Sequence, residues 1–356
     1  MTEQEAVKQC RLIGTSNTGF AQQAQEEIRR LFGSAVFTYI VPSEVFLAEL
    51  PVDREEALRL LQANEPMFLR HIQPVLEEIR WTENPESVTV EQAEEIYAKL
   101  SEWLIREKAA LAGKKIAVQI RRSSLAPQAI GKQAIKEVAD AVLAEQLGSE
   151  LVVRGSEQIV SVYIGKDRIY AGYSKPEENL SDWSGGAVRF QKEEGQISRA
   201  KFKLLEAEQQ FGFSFNQFHQ ALDIGAAPGG WTSLLLERGL KVTAVDPAAL
   251  APQLMKHPKL TYLKKNAGDV KFEPGSFDLL VCDMSWSPRM MAKLVDDLLY
   301  AVRPGGNLII TVKLLHKKAF QTVREVLEVW EGSLQLLQAK QLFHNREELT
   351  LYLLRV

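Results

Sequence analysis

Two kinds of hydrophobic pattern divide the chain. From residue 218 onward, short β-branched or leucine-rich runs at 221–224, 242–245, 260–263, 277–282 and 308–312 alternate with helix-like stretches at 231–238, 288–302 and 319–329. Alternation of that kind predicts an α/β fold with a doubly wound, largely parallel sheet. Two last strand-like runs, 335–343 and 348–355, are joined by the short polar stretch from His344 to Glu347. So short a connection predicts an antiparallel pair at the end of the sheet.

The first half reads differently. An apolar stretch with a glycine-bearing turn (Leu12, Ile13, Gly14, Gly19) leads into a helical segment at 21–31, and strands are predicted at 35–41 and 44–50. This is the pattern of a small α+β domain over 1–80. A second α+β domain over 81–175 is predicted from a helix at 90–107 and strands at 116–120, 151–154, 159–164 and 168–173. Residues 176–197, carrying Pro176, Gly185, Gly186 and Gly195, read as a linker to a C-terminal domain at 198–356.

The length of 356 residues suits two or three such domains. Hydrophobic residues make up 46% and charged residues 25%, values that exclude a disordered, collagenous or disulfide-built chain. Two cysteines, Cys10 and Cys282, leave no disulfide framework or cysteine-rich zinc site, so neither a metal nor an oxidising compartment is expected. The first ten residues lack the basic start and apolar stretch of a signal peptide, and no run is long enough to span a bilayer. A cytoplasmic protein is the expectation.

The net charge of -3 announces no polyanionic partner, yet it conceals opposed segments. Between residues 72 and 107 nine glutamates face three cations, an excess expected mainly on the solvated face of the 90–107 helix. From Lys108 to Lys136 seven cations follow without an acid. Two further basic clusters, Arg189 to Lys203 and Lys313 with Lys317, Lys318 and Arg324, flank the C-terminal domain's predicted crevice, with Trp183, Phe190 and Trp286 as candidate stacking residues. Such local clusters are what RNA phosphates and unpaired bases require.

The strongest local signal is Asp223-Ile224-Gly225-Ala226-Ala227-Pro228-Gly229-Gly230-Trp231-Thr232, leaving a strand and entering a helix. Glycines permit the tight turn, and a helix N-terminus adds partial positive charge. Asp246 ends the next strand, 21 residues beyond Gly225, where a carboxylate can take the two hydroxyls of a ribose. The glycines do not follow G-x-G-x-x-G, and Pro228 removes an amide that a pyrophosphate would use. S-adenosylmethionine, which has no phosphate, fits this turn better than a dinucleotide.

At these residues the chain resembles the FtsJ-like ribose 2′-O-methyltransferases. The resemblance extends to Ser198-Arg199-Ala200-Lys201-Phe202-Lys203-Leu204, Val281-Cys282-Asp283-Met284, Thr311-Val312-Lys313-Leu314 and the closing Gln341 to Thr350, covering about 195–356. It implies a Rossmann-like methyltransferase domain ending in an antiparallel hairpin, and a cofactor site at Asp223, Gly225, Ala227, Pro228, Gly229, Gly230, Trp231, Asp246 and Asp283. For the adenine it implies an acid after the third strand. The chain has Asn266 followed by Asp269 there, and either can serve. The strand, basic loop, helix and strands over 81–175 resemble the THUMP module of RNA-modifying enzymes. Together with the closing segment, they are most similar to the branch that methylates a cytidine ribose in bacterial large-subunit ribosomal RNA.

The family's Lys-Asp-Lys-Glu tetrad maps onto Lys203, Asp283, Lys313 and Glu348. A ribose 2′-hydroxyl is a poor nucleophile until its proton leaves, and a lysine can take that proton only if its ordinary pKa of about 10.4 is lowered by burial or nearby cations. The expected roles are Lys313 as base, Asp283 as its orienting partner, and Lys203 with Glu348 positioning the ribose. A methyltransferase for another RNA or a small molecule, or a non-catalytic RNA-binding assembly factor, remains the alternative to an RNA ribose methyltransferase.

Overall fold

The computed structural model describes residues 9–81, 88–191 and 195–356. Glu83 and Glu86 of the acidic segment, Lys192 of the second basic cluster and most of the N-terminal decapeptide lie outside these residues. The chain divides into two units between Ala187 and Val188.

The first unit contains two sheets. One is built from β1 (Cys10–Thr15), β2 (Val36–Val41), β3 (Val45–Leu50) and β4 (His71–Pro74), ordered β2-β3-β1-β4, with helices α1 (Ala21–Phe32) and α2 (Arg54–Ala63). Helix α2, which the sequence pattern did not reveal, is started by Asp53, whose side chain accepts the Glu56 amide at 2.9 Å. The other sheet has β5 (Glu77–Arg80), β6 (Lys115–Arg122), β7 (Glu150–Leu151), β8 (Gln158–Ile164) and β9 (Arg168–Ser174) in the order β5-β9-β8-β6-β7. Helices α3 (Val90–Arg106), α4 (Lys108–Leu111) and α5 (Lys132–Ala141) accompany it, and Leu100, Trp103, Leu104, Ile116, Ile135 and Val160 form its core. Helix α3 opens on a reciprocal capping box between Thr89 and Gln92.

Residues 77–80 therefore pair with the second sheet. Glu78 is not part of a solvated helix face: only 10% exposed, it pairs with Arg11 at 2.7 Å and with Arg80 and Arg168 at 3.1 Å each. The segment expected to link the domains begins as part of the first unit. Arg70 donates Nε–H to the Gly185 carbonyl at 3.1 Å, and a Cβ on Gly185 would stand 2.8 Å from the Arg121 guanidinium. At φ +63° and +65°, Gly185 and Gly186 turn the chain where another residue would be strained.

The second unit is the alternating domain. Helix α6 (Ala200–Gln210) precedes β10 (Gln220–Ile224), α7 (Gly230–Glu237), β11 (Lys241–Val245), β12 (Leu260–Leu263), β13 (Phe277–Cys282), α8 (Pro288–Leu298), β14 (Val302–Lys313), α9 (Ala319–Val329), β15 (Leu334–Lys340) and β16 (Glu348–Arg355). Seven strands lie in the order β12-β11-β10-β13-β14-β16-β15. Strands β12 to β14 run parallel, whereas β16 is antiparallel to both β14 and β15. Leu204, Phe215, Trp231, Leu235, Leu279 and Ile309 pack in one core beside the sheet. The sheet order reverses between β10 and β13, so the carboxyl ends of those strands open the crevice where ligands of α/β sheets bind.

Candidate active site

The strand ends at that crevice carry three acids. Asp223 is the fourth residue of β10, Asp246 follows β11 and Asp283 follows β13. Asp223 is buried, and burial raises its carboxyl pKa to about 7. The Thr232 hydroxyl, donating to Oδ2 at 2.6 Å, opposes the rise, while the charges of Asp283 and Asp246 add to it. Asp246 accepts the Ala227 amide at 3.0 Å through Oδ2 and the Ala248 amide at 2.7 Å through Oδ1, which locks it beside the turn. A converging set of carboxylates in partly dry surroundings favours a cation. By this chemistry the residues present fit the sulfonium and ammonium of S-adenosylmethionine.

The turn itself is made possible by Gly225 and Gly229, at φ +72° and +110°. A Cβ on Gly225 would meet the Met284 side chain at 2.3 Å, and one on Gly230 would meet Ser198 at 2.9 Å. Gly225, Gly229 and Gly230 are thus closely packed between β10 and α7, while Ala227 is half-buried and Pro228 exposed in the same turn. Trp231 is placed differently from the other expected cofactor residues. Its ring is 3% exposed, in the core, and its Nε1–H donates to the Ala200 carbonyl at 2.8 Å, tying α7 to α6. Asn266 and Asp269 come together after β12, where Asn266 Nδ2 donates to Asp269 Oδ2 at 3.1 Å.

The four tetrad candidates converge on the same edge. Lys203, on α6, donates from Nζ to Asp283 Oδ1 at 3.0 Å and Oδ2 at 3.2 Å, and pairs with Glu348 at 3.1 Å. Lys313 ends β14 directly opposite Glu348 in the β14–β16 register. The pairing differs from the expected one, because α6 carries Lys203 between the two strand ends and both acids settle on it. Lys313 is exposed and forms no ion pair with the described residues. Burial works against the Lys203 charge, but Asp283 and Glu348 outweigh it and raise the pKa above the ordinary lysine value. Lys203 is therefore held as an ammonium.

Several supporting residues escaped the sequence reading. Thr311, 2% exposed on β14, donates its hydroxyl to Asp283 Oδ1 at 2.6 Å. Glu206, one helical turn beyond Lys203, accepts the amides of Phe343 at 2.7 Å and His344 at 3.0 Å, fixing the bend that delivers Glu348. A charged residue on the buried face of α6 was the available signal. His344 packs against Phe190 and Phe202, and burial together with the charges of Lys203 and Arg199 lowers its pKa to about 4.

The expected basic clusters are only partly available. Lys201 pairs with Glu237 at 2.8 Å and Lys203 is committed to the site, which leaves Arg189 and Arg199 among the described residues of the second cluster. In the first cluster Arg121 donates to the Thr15 hydroxyl, Arg122 to the Ala126 and Pro127 carbonyls, and Lys136 to Asp140. Lys313, Lys317, Lys318 and Arg324 are all exposed and form no ion pair with the described residues. Trp286 is 43% exposed beyond Asp283, whereas Phe190 stacks on Phe202 and Trp183 lies under Arg154. Cys282 is buried, its thiol pushed up to about 12, and like Cys10 it is free. No helix among the described residues is long and apolar enough to cross a membrane.

A glycine-rich turn after the first strand, a locked carboxylate after the second and a terminal antiparallel strand beside the fifth define a Rossmann-like methyltransferase domain. Residues 196–334, which lie within the second unit, match the FtsJ-like methyltransferase family. The chain is similar to the ribosomal RNA large subunit methyltransferase M of Psychromonas ingrahamii, with 34% identity over 201 residues, 53% of this chain and 55% of that protein. It is similar also to the protein of that name from Laribacter hongkongensis, with 34% identity over 56% of this chain and 59% of the relative. The chain thus spans somewhat more than half the length of these curated relatives. Among solved structures, TrmN from Thermus thermophilus aligns over 98% of this chain and 100% of its own at 13% identity and a TM-score of 0.42, a distant likeness.

Proposed function

We propose that this protein transfers a methyl group from S-adenosylmethionine to a ribose 2′-hydroxyl of RNA, with large-subunit ribosomal RNA as the substrate. The observation that carries the reading is the bridge of Lys203 between Asp283 and Glu348, with Lys313 on the strand end facing Glu348. The Gly225–Gly230 turn and Asp246 would hold S-adenosylmethionine, which would supply an electrophilic methyl group. Lys203, held as an ammonium by two carboxylates, orients the acceptor ribose and cannot serve as base. Lys313, exposed and not committed to either acid, takes the hydroxyl proton at Nζ once the bound sulfonium and the Lys203 ammonium provide the neighbouring positive charge that a lysine base requires. Holding acceptor and donor in line supplies much of the acceleration.

The exposed cations Lys317, Lys318 and Arg324 follow Lys313 in the chain and suit the phosphates of the RNA strand. Trp286 suits an unpaired base. The names of the relatives favour large-subunit ribosomal RNA, and the cytidine acceptor comes from family resemblance. The test is incubation of the purified chain with labelled cofactor and RNA from cells lacking the protein, followed by mapping of the methylated nucleotide. Label on a ribose of large-subunit RNA is the expected result. Label on a base, on another RNA or nowhere would overturn the reading.

A further inference from the structure

We infer that Thr311 is a positioning residue for the methyl transfer, acting through Asp283; this rests on the function proposed above. Asp283 Oδ1 receives both the Thr311 hydroxyl at 2.6 Å and Lys203 Nζ at 3.0 Å, while Oδ2 receives Lys203 alone at 3.2 Å. The hydroxyl therefore pins one oxygen against β14 and leaves Oδ2 with the greater spare acceptor capacity. Thr311 is 2% exposed, so water does not replace the bond. Across the ladder its registered neighbour is Thr350, whose hydroxyl is itself committed to Asn345 Oδ1 at 3.0 Å.

The spacing along β14 gives the arrangement its use. Thr311 and Lys313 are two residues apart on one strand, so their side chains leave the same face of the sheet. One rigid strand thus carries the proposed base and the clamp on the acid that holds Lys203. Without the hydroxyl, Asp283 keeps only its two contacts to Lys203, so the acid and the ammonium can shift together relative to β14. A sub-ångström loosening of that kind affects alignment at the reacting atoms more than binding of either substrate.

The test compares Thr311→Val, which keeps the shape and removes the hydroxyl, with Thr311→Ser, which restores the donor. Removing a hydrogen bond to a charged group predicts a fall in kcat of about ten- to a hundred-fold for T311V, with KM for cofactor and RNA within about twofold of the parent. T311S should return to within about threefold. Equal kcat for T311V and the parent, in a parent that methylates ribose, overturns this inference and leaves the proposed function standing. Equal losses in T311V and T311S also overturn it. Should the parent transfer no methyl to ribose, the proposed function falls. The role of Thr311 is then decided by crystal structures of the two variants, where an unmoved Asp283–Lys203 pair in T311V refutes it and a rotated Asp283 restored in T311S supports it.

Discussion

Lys203→Met removes the cation between Asp283 and Glu348 while keeping most of the side chain's bulk. In the parent, Nζ makes three contacts of 3.0, 3.2 and 3.1 Å to the two carboxylates. The side chains are 15%, 18% and 24% exposed, so water screens the interaction only in part. Hydrogen bonds to charged groups contribute about 1.5–3 kcal/mol each, but three sharing one ammonium do not add. Discounting for partial exposure and for the repulsion left between two acids, the expected loss is about 2–3 kcal/mol from the second unit. Because the pKa of Lys203 is raised on folding, its contribution is fully present below the unfolded lysine value and is lost only as pH rises through the higher folded value. The deficit should therefore be constant across neutral pH. Urea unfolding of the full chain, followed by hydrogen exchange in β13 and β16, reads this unit apart from the first. Adding Glu348→Gln to K203M should recover about 1 kcal/mol by removing the repulsion. A K203M protein within about 0.5 kcal/mol of the parent would refute the electrostatic reasoning.

Other expectations concern the cofactor and the RNA. The folded protein keeps Asp223 protonated up to about pH 7, whereas an ordinary aspartate ionises near 3.8, so the apo second unit should lose stability as pH rises between those values. A cationic cofactor favours the ionised form, so calorimetric affinity for S-adenosylmethionine should strengthen from pH 6 to pH 8, and Asp223→Asn should flatten that dependence; an equally steep variant would exclude Asp223 as its source. Replacing Lys317 and Lys318 together by alanine should weaken RNA binding and reduce the slope of log affinity against log salt by about 1–2, read by filter binding over a potassium chloride series. An unchanged slope would remove this surface from the RNA path.

Much of the second unit was legible because its signals are local. The strands at 221–224, 242–245, 260–263 and 277–282 lie where the apolar runs placed them, and the turn glycines announced their conformations. The last hairpin was legible in direction but not in extent, since β15 stops at Lys340 and residues 341–347 form a bend held by Glu206, a contact 137 residues distant. The partners of Lys203 were not legible for the same reason: only the fold brings α6 between β13 and β16. The place of Trp231 in the motif suggested a cofactor contact and gave no sign of its core packing, where its indole N–H donates to the Ala200 carbonyl and its large apolar surface is buried. In the first unit the short β4, which ends on Pro74, and the charged β5 gave little strand signal, and pairing with β1 and β9 overrides that weak character.

The central claim is that Lys313 serves as base for methyl transfer to a ribose hydroxyl, and its most direct test is single-turnover transfer by the parent and by Lys313→Ala on the RNA from cells lacking the protein. The account predicts one ribose methyl group per RNA with the parent, and a rate for K313A lower by about a hundred-fold or more at unchanged cofactor affinity. Full methyl transfer by K313A would contradict it.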